Sequence, residues 1–175
     1  MRRIKFSLRG VALFLSCAAL FALFSLAGCS QKYDSAKAAF LDFSSAYGTL
    51  PVGKLFLSAA NEWEKEYLSE EIIAALYTDA RGNSEFGHVA DCAVYLGSSL
   101  DTYYELAIFI CYDNSSADSV ARMCATRLDA ASRLRDTVDT NALENAIIEI
   151  HGRTVIMSAL PDAEATRRAL AALLK

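Results

Sequence analysis

"ELAIFICY", Glu105–Tyr112, is the stretch on which the fold turns. After one acid it runs six residues without a polar side chain. A strand with one wet face alternates apolar and polar residues, whereas a strand that is apolar throughout is covered on both sides. Glu105–Tyr112 therefore predicts a central strand.

Its neighbours in sequence predict what surrounds it. Upstream, "CAVYLGSS" from Cys92 reads as a second strand, joined to the first through "LDTY". Downstream, "DNSSAD" predicts a helix start, with Ser115 as N-cap and Asp118 three residues on, a relative of the capping box. Val120, Cys124, Leu128, Ala131 and Leu134 then fall on one helical stripe, and Arg122, Asp129 and Arg133 on the wet side. "AIIEIHGRTVIMSAL" is two apolar runs around His151-Gly152, where glycine permits the positive φ of a tight hairpin. In "PDAEATRRALAALLK", Pro161 suits a first helical turn, Asp162 and Glu164 suit the helix dipole, and Leu170, Leu173 and Leu174 supply a buried face. The order is strand, strand, helix, strand, strand, helix. Short connections favour antiparallel pairing, so the predicted class is α+β, a small antiparallel sheet with packed helices.

Ahead of that core, Ala36, Phe40, Phe43 and Tyr47 recur at helical spacing before Gly48, which predicts an N-terminal helix over Ser35–Tyr47. "VGKLFLS" reads as a short strand. Ser69 is placed to cap a short helix through Ile72, Ile73 and Leu76. "TDARGNSEFGH" reads as a loop, with Gly82-Asn83 and Gly87 as turn residues.

The first 28 residues have a different character. Arg2, Arg3, Lys5 and Arg9 form a positive segment with no acid, and Val11 to Leu26 is almost wholly apolar. These are the two leading regions of a secretory signal. It ends Leu26-Ala27-Gly28-Cys29, the bacterial lipobox pattern. A thiol is required there because a diacylglyceryl group joins through a thioether, and small residues admit the backbone to the signal peptidase. Each buried methylene contributes about 0.8 kcal/mol, so two or more acyl chains hold durably. The apolar run is slightly short for a membrane span, which prefers about 20 residues. The sequence thus predicts a signal peptide over 1–28, a lipidated Cys29 with a short polar tether over 29–34, and one α+β domain over 35–175. The expected location is the extracytoplasmic face of the cell membrane, with membrane lipid as partner through Cys29.

The mature chain keeps thirteen basic residues against 21 acidic ones, a formal net charge of −8. Such a surface excludes nucleic acid and gives no attraction to anionic headgroups. Beyond Cys29 it keeps Cys92, Cys111 and Cys124, all in apolar segments. An odd number cannot all pair within one chain. Two readings stay open: inert core thiols, or one disulfide, either Cys111–Cys124 between strand and helix or Cys92–Cys111 across a hairpin turning near Asp101.

With these elements in place, "LPVGKLF" at Leu50, "YLSEEIIAALY" at Tyr67 and "ELAIFICY" at Glu105 resemble a family of small uncharacterised lipoproteins of Gram-positive bacteria, a domain of unknown function. "VARMCATRLD" at Val120 and "GRTVIMSALPDAEATRRAL" at Gly152 extend the resemblance over roughly residues 36 to 175. These are core and turn patterns rather than a chemical signature. The resemblance implies fold and location, with no activity to carry over.

Chemistry is sparse. His88 sits in a polar loop and His151 in a hairpin turn, neither with a partner visible in sequence, so both read as surface residues. There is no nucleophile-elbow or zinc-binding spacing, and no C-x-x-C. Glu62, Glu64, Glu66, Glu70 and Glu71 lack the glycine of a calcium loop and read as a solvated segment. No catalytic residue, metal or cofactor is indicated. Trp63 reads as packing against the core, while the poorly periodic segment around it is the best candidate for a recognition surface. Two functions follow: a non-enzymatic binding or assembly module with a protein partner in the envelope, or an envelope enzyme with a dispersed active site.

Overall fold

A computed structural model describes residues 32–78 and 83–174. The segment expected to be a signal peptide, the lipobox pattern with Cys29, and the expected turn at Gly82 lie outside them. Helix α1 (Ala36–Tyr47) leads to strand β1 (Gly53–Leu57) and the short helix α2 (Glu70–Leu76). Strands β2 (Val89–Gly97) and β3 (Glu105–Cys111) precede the long helix α3 (Asn114–Ser132). The hairpin β4 (Ile147–His151) and β5 (Thr154–Ala159) and helix α4 (Ala163–Leu173) complete the chain.

The five strands form one fully antiparallel sheet in the order β1-β2-β3-β5-β4. The strand that was wholly apolar is its centre: all seven residues of β3 are buried. Its even-numbered residues Leu106, Ile108 and Ile110 pack with Phe40, Phe43 and Leu170 beneath α1 and α4. Its odd-numbered residues Ala107, Phe109 and Cys111 pack with Ile73, Val120 and Cys124 beneath α2 and α3. A period of two on β3 thus divides one apolar run between two cores.

Local signals set most element ends. Gly48 closes α1 at φ 101°, and Gly152 turns the β4–β5 hairpin at φ 57°, both left-handed values that favour glycine. Ser69 caps α2 by accepting from the Ile72 N–H at 3.3 Å. At Gly53 a Cβ would lie 2.6 Å from the Leu96 carbonyl and 2.5 Å from the Tyr95 ring, so only glycine lets β1 close on β2.

Three assignments shift by a few residues. The cap of α3 is Asp113, not Ser115: its carboxylate accepts from the Ser116 N–H at 2.7 Å. Pro161 lies just before α4 rather than in its first turn, and Asp162 caps that helix by accepting from Glu164 and Ala165 N–H groups at 3.0 and 2.9 Å. Leu134 lies past the end of α3 and is exposed, because the helix stops at Ser132 before its stripe reaches that residue. Packing also begins earlier than helix α1: Tyr33 is buried, and its hydroxyl donates to Asp42 at 2.7 Å.

The antiparallel path puts chain entry and several loops at one end of the sheet. The start of α1, the β1–α2 loop, the start of β2, the end of β3 and the β4–β5 turn meet there. The β2–β3 connection, the end of α3 and the start of α4 occupy the other end. Among the described residues no helix is long and apolar enough to cross a membrane.

Candidate functional site

The end of the sheet where the chain enters carries a cleft of about 300 Å³, lined by Ser58, Tyr67, Phe86, Asp91 and Tyr112 among others. Its polar floor is built from the ends of β1 and β2. Ser58 donates to Asp91 Oδ1 at 2.7 Å and accepts from the Cys92 N–H at 2.8 Å. Asp91 Oδ2 accepts from the Ala36 N–H at 2.8 Å. Ser35, in the cap position of α1, makes no side-chain cap bond, so a carboxylate on β2 caps that helix from 55 residues away. Both oxygens of Asp91 are engaged, so the cleft offers its aromatic walls more readily than a free charge.

Beside the cleft, His88 has partners that the sequence does not reveal. Its Nδ1 lies 3.2 Å from Ser116 Oγ, and its Nε2 lies 3.2 Å from Glu85 Oε2. The three residue types are those of a hydrolytic triad, but the geometry serves another end. Ser116 is buried, and its hydroxyl donates to Asp113 Oδ1 at 2.8 Å. A nucleophile needs an accessible oxygen and a base to take its proton; here the carboxylate of the helix cap holds that proton. Asp113 Oδ1 accepts from the Ser115 hydroxyl, the Ser116 N–H and the Ser116 hydroxyl together. These bonds hold its carboxyl well below the usual range, at about 2.

The strongest electrostatic feature lies under α3, where the acid that opens β3 is fully buried. Glu105 accepts from the Tyr77 hydroxyl at 2.6 Å and from the Tyr103 hydroxyl. Arg127 of α3 donates to Glu105 Oε2 from Nε and Nη2, both at 3.0 Å. The guanidinium also lies over both tyrosine rings, 6.0 and 5.8 Å from their centroids. Burial, then the Glu105 charge, pushes both phenols well above their ordinary value, so they stay protonated donors. A buried carboxylate is tolerated only when paired and hydrogen-bonded, and this one is both. Glu105 was visible in sequence as the single acid of an apolar strand; its partners, 28 residues before and 22 after, were not.

The sequence-predicted residues divide plainly. Cys92, Cys111 and Cys124 are all buried, free thiols on the α2–α3 side of the sheet. Register separates the first two: Cys92 stands opposite Phe109 and Cys111 opposite Val89, so they are not cross-strand partners. The β2–β3 pairing is centred between Leu100 and Asp101 and slips at a bulge between Val89 and Asp91, whereas pairing Cys92 with Cys111 needs a centre one residue further on. Burial pushes the Cys92 thiol up to about 12 and the Cys111 thiol up to about 11. Cys124 is raised further, by burial and by the nearby Glu105 charge. Trp63 does not pack on the core: it is 83% exposed, in the β1–α2 loop. Glu62, Glu64, Glu66 and Glu71 are exposed, and among the described residues no group of three or more His, Cys, Asp or Glu side chains is placed to hold a metal ion.

No protein-family model matches the chain, and neither a curated protein nor a solved structure matches it.

Proposed function

We propose that the protein is a bacterial lipoprotein, anchored through acylated Cys29 at the extracytoplasmic face of the membrane, whose α+β domain is a non-enzymatic binding module. One observation carries the reading: an acid-free basic segment and an apolar run lead directly into Leu26-Ala27-Gly28-Cys29. On this reading it belongs with the small Gram-positive lipoproteins whose core and turn patterns it resembles. Support for binding over catalysis comes from the polar groups of the domain. The Ser116 proton, both Asp91 oxygens and both Glu105 oxygens are committed to internal hydrogen bonds.

Mass spectrometry of the protein from native membranes tests the anchor, beside a Cys29→Ala variant. The expected result is a mature chain beginning at Cys29 with acyl chains, and in the variant an uncleaved, unlipidated precursor. An intact Met1 terminus without lipid on the native protein would sink the reading.

A further inference from the structure

We infer that the end of the sheet bearing the cleft rests on the membrane surface, with the indole of Trp63 seated among the lipid headgroups. The inference rests on the lipidation of Cys29 proposed above and adds an orientation and a second, non-covalent membrane contact.

The tether is too short to leave the domain free. Only Ser30 and Gln31 lie between Cys29 and Lys32, a reach of about 10 Å at most. From there the chain is fixed to the fold. Lys32 donates to the Ala172 carbonyl at 3.2 Å, and Tyr33 is buried. The entry point and the Trp63 loop are joined by one side chain. Asp91 binds the first N–H of α1 through one oxygen and Ser58, at the root of the loop, through the other. An anchor at Cys29 therefore brings this end of the domain to the lipid, and the opposite end stands about 30 Å away, the length of a nine-residue strand.

What this end displays suits an interface. Trp63 is 83% exposed, and Tyr112, across the cleft from the loop, is 63% exposed. Trp and Tyr favour the headgroup layer, where an apolar ring and a polar edge are both satisfied. The loop is braced rather than slack. Leu57 N–H donates to the Glu66 carbonyl at 2.7 Å, Leu68 N–H to the Leu57 carbonyl at 3.2 Å, and Asn61 Nδ2 to Glu64 Oε1 at 2.6 Å. Little loop entropy is then lost on docking. Charge works against the contact: Glu62, Glu64 and Glu66 flank the indole, with Lys65 the one opposing charge in that run. Docking is therefore apolar, and anionic lipid weakens it.

Trp63 is the only tryptophan in the chain, so its emission reports this contact alone. The test uses the native lipoprotein in phosphatidylcholine vesicles with and without bromine on the upper acyl carbons, its acylation read by mass spectrometry on the same vesicles. Expected are a blue-shifted emission and about a twofold loss of intensity with brominated lipid, as for an interfacial indole. The loss should shrink when phosphatidylglycerol is added at low salt and recover as salt screens the glutamates. Water-like, unquenched emission from protein with acylated Cys29 would overturn the docking and leave the anchor standing. A blue shift without quenching would place the indole against protein and overturn it too, as would quenching that grows with the anionic fraction. Native protein without lipid on Cys29 would remove both the anchor and the inference.

Discussion

Arg127 and Glu105 are the residues whose pairing the fold can least do without. Removing one member of a buried ion pair strands the other, which typically costs about 3–5 kcal/mol. The Arg127 side chain is 19% exposed, so water can partly serve the orphaned carboxylate. We predict that Arg127→Met lowers the unfolding free energy in urea by about 3 kcal/mol. Adding Glu105→Gln should restore more than half, because glutamine still accepts from Tyr77 or Tyr103 without carrying charge. An additive double variant would refute the pairing. Ser158 is the converse case. Among the described residues its buried hydroxyl on β5 meets no hydrogen-bond partner, and an unmet buried polar group costs about 1–3 kcal/mol. Ser158→Ala should therefore raise the denaturation midpoint, by about 1 kcal/mol of stability, where a loss would show that the hydroxyl is satisfied.

At the scale of elements, helix ends are where sequence and tertiary structure divide the work. Asp113 caps α3 within its own turn, and the depressed carboxyl ties that cap to pH. A carboxyl whose folded pKa, about 2, lies below its ordinary 3.8 stabilises the fold above the ordinary value, and the contribution is lost as pH falls from about 4 through 2. Asp113→Asn should flatten that acid limb in a pH series of denaturation midpoints while leaving the neutral plateau nearly in place; an unchanged limb would mean other carboxylates carry it. The cap of α1 is non-local. Asp91→Ala removes the bond to Ala36 N–H and the Ser58 bond together, and should cost about 1–2 kcal/mol by chemical denaturation. Ser35→Ala, at the cap position in sequence, should cost little, since its hydroxyl makes no cap bond.

For the whole molecule, the three thiols act as a gauge of opening. They are buried, and their raised pKa values leave almost no thiolate at pH 8. On the proposed lipidation, which would block Cys29 as a thioether, a thiol-specific chromogenic reagent should find none of the three in the native chain and three after denaturation without reductant. A count of one would mean that two are joined as a disulfide. Buried, oppositely packed helices on both faces of β3 make this opening global rather than local.

The sequence by itself determined what is local or periodic. The apolar run of β3, the 3.6-residue spacing of Phe40, Phe43 and Tyr47, and the Gly48 and Gly152 turns each act within a few residues, so they are legible without knowing what lies opposite. An α+β antiparallel sheet follows from them. Tertiary structure decided every feature that depends on residues far apart in the chain. Asp91 caps a helix 55 residues upstream, and Glu105 gathers Tyr77 and Arg127 from 28 residues before and 22 after. The register of β2 on β3 separates Cys92 from Cys111. Trp63 is exposed although it is the largest apolar side chain of its segment, in a loop closed by its own backbone hydrogen bonds. Propensity and pattern record what each residue prefers; only the packed chain fixes which distant groups share a buried volume, and there the cost of an unpaired charge or donor selects the partners.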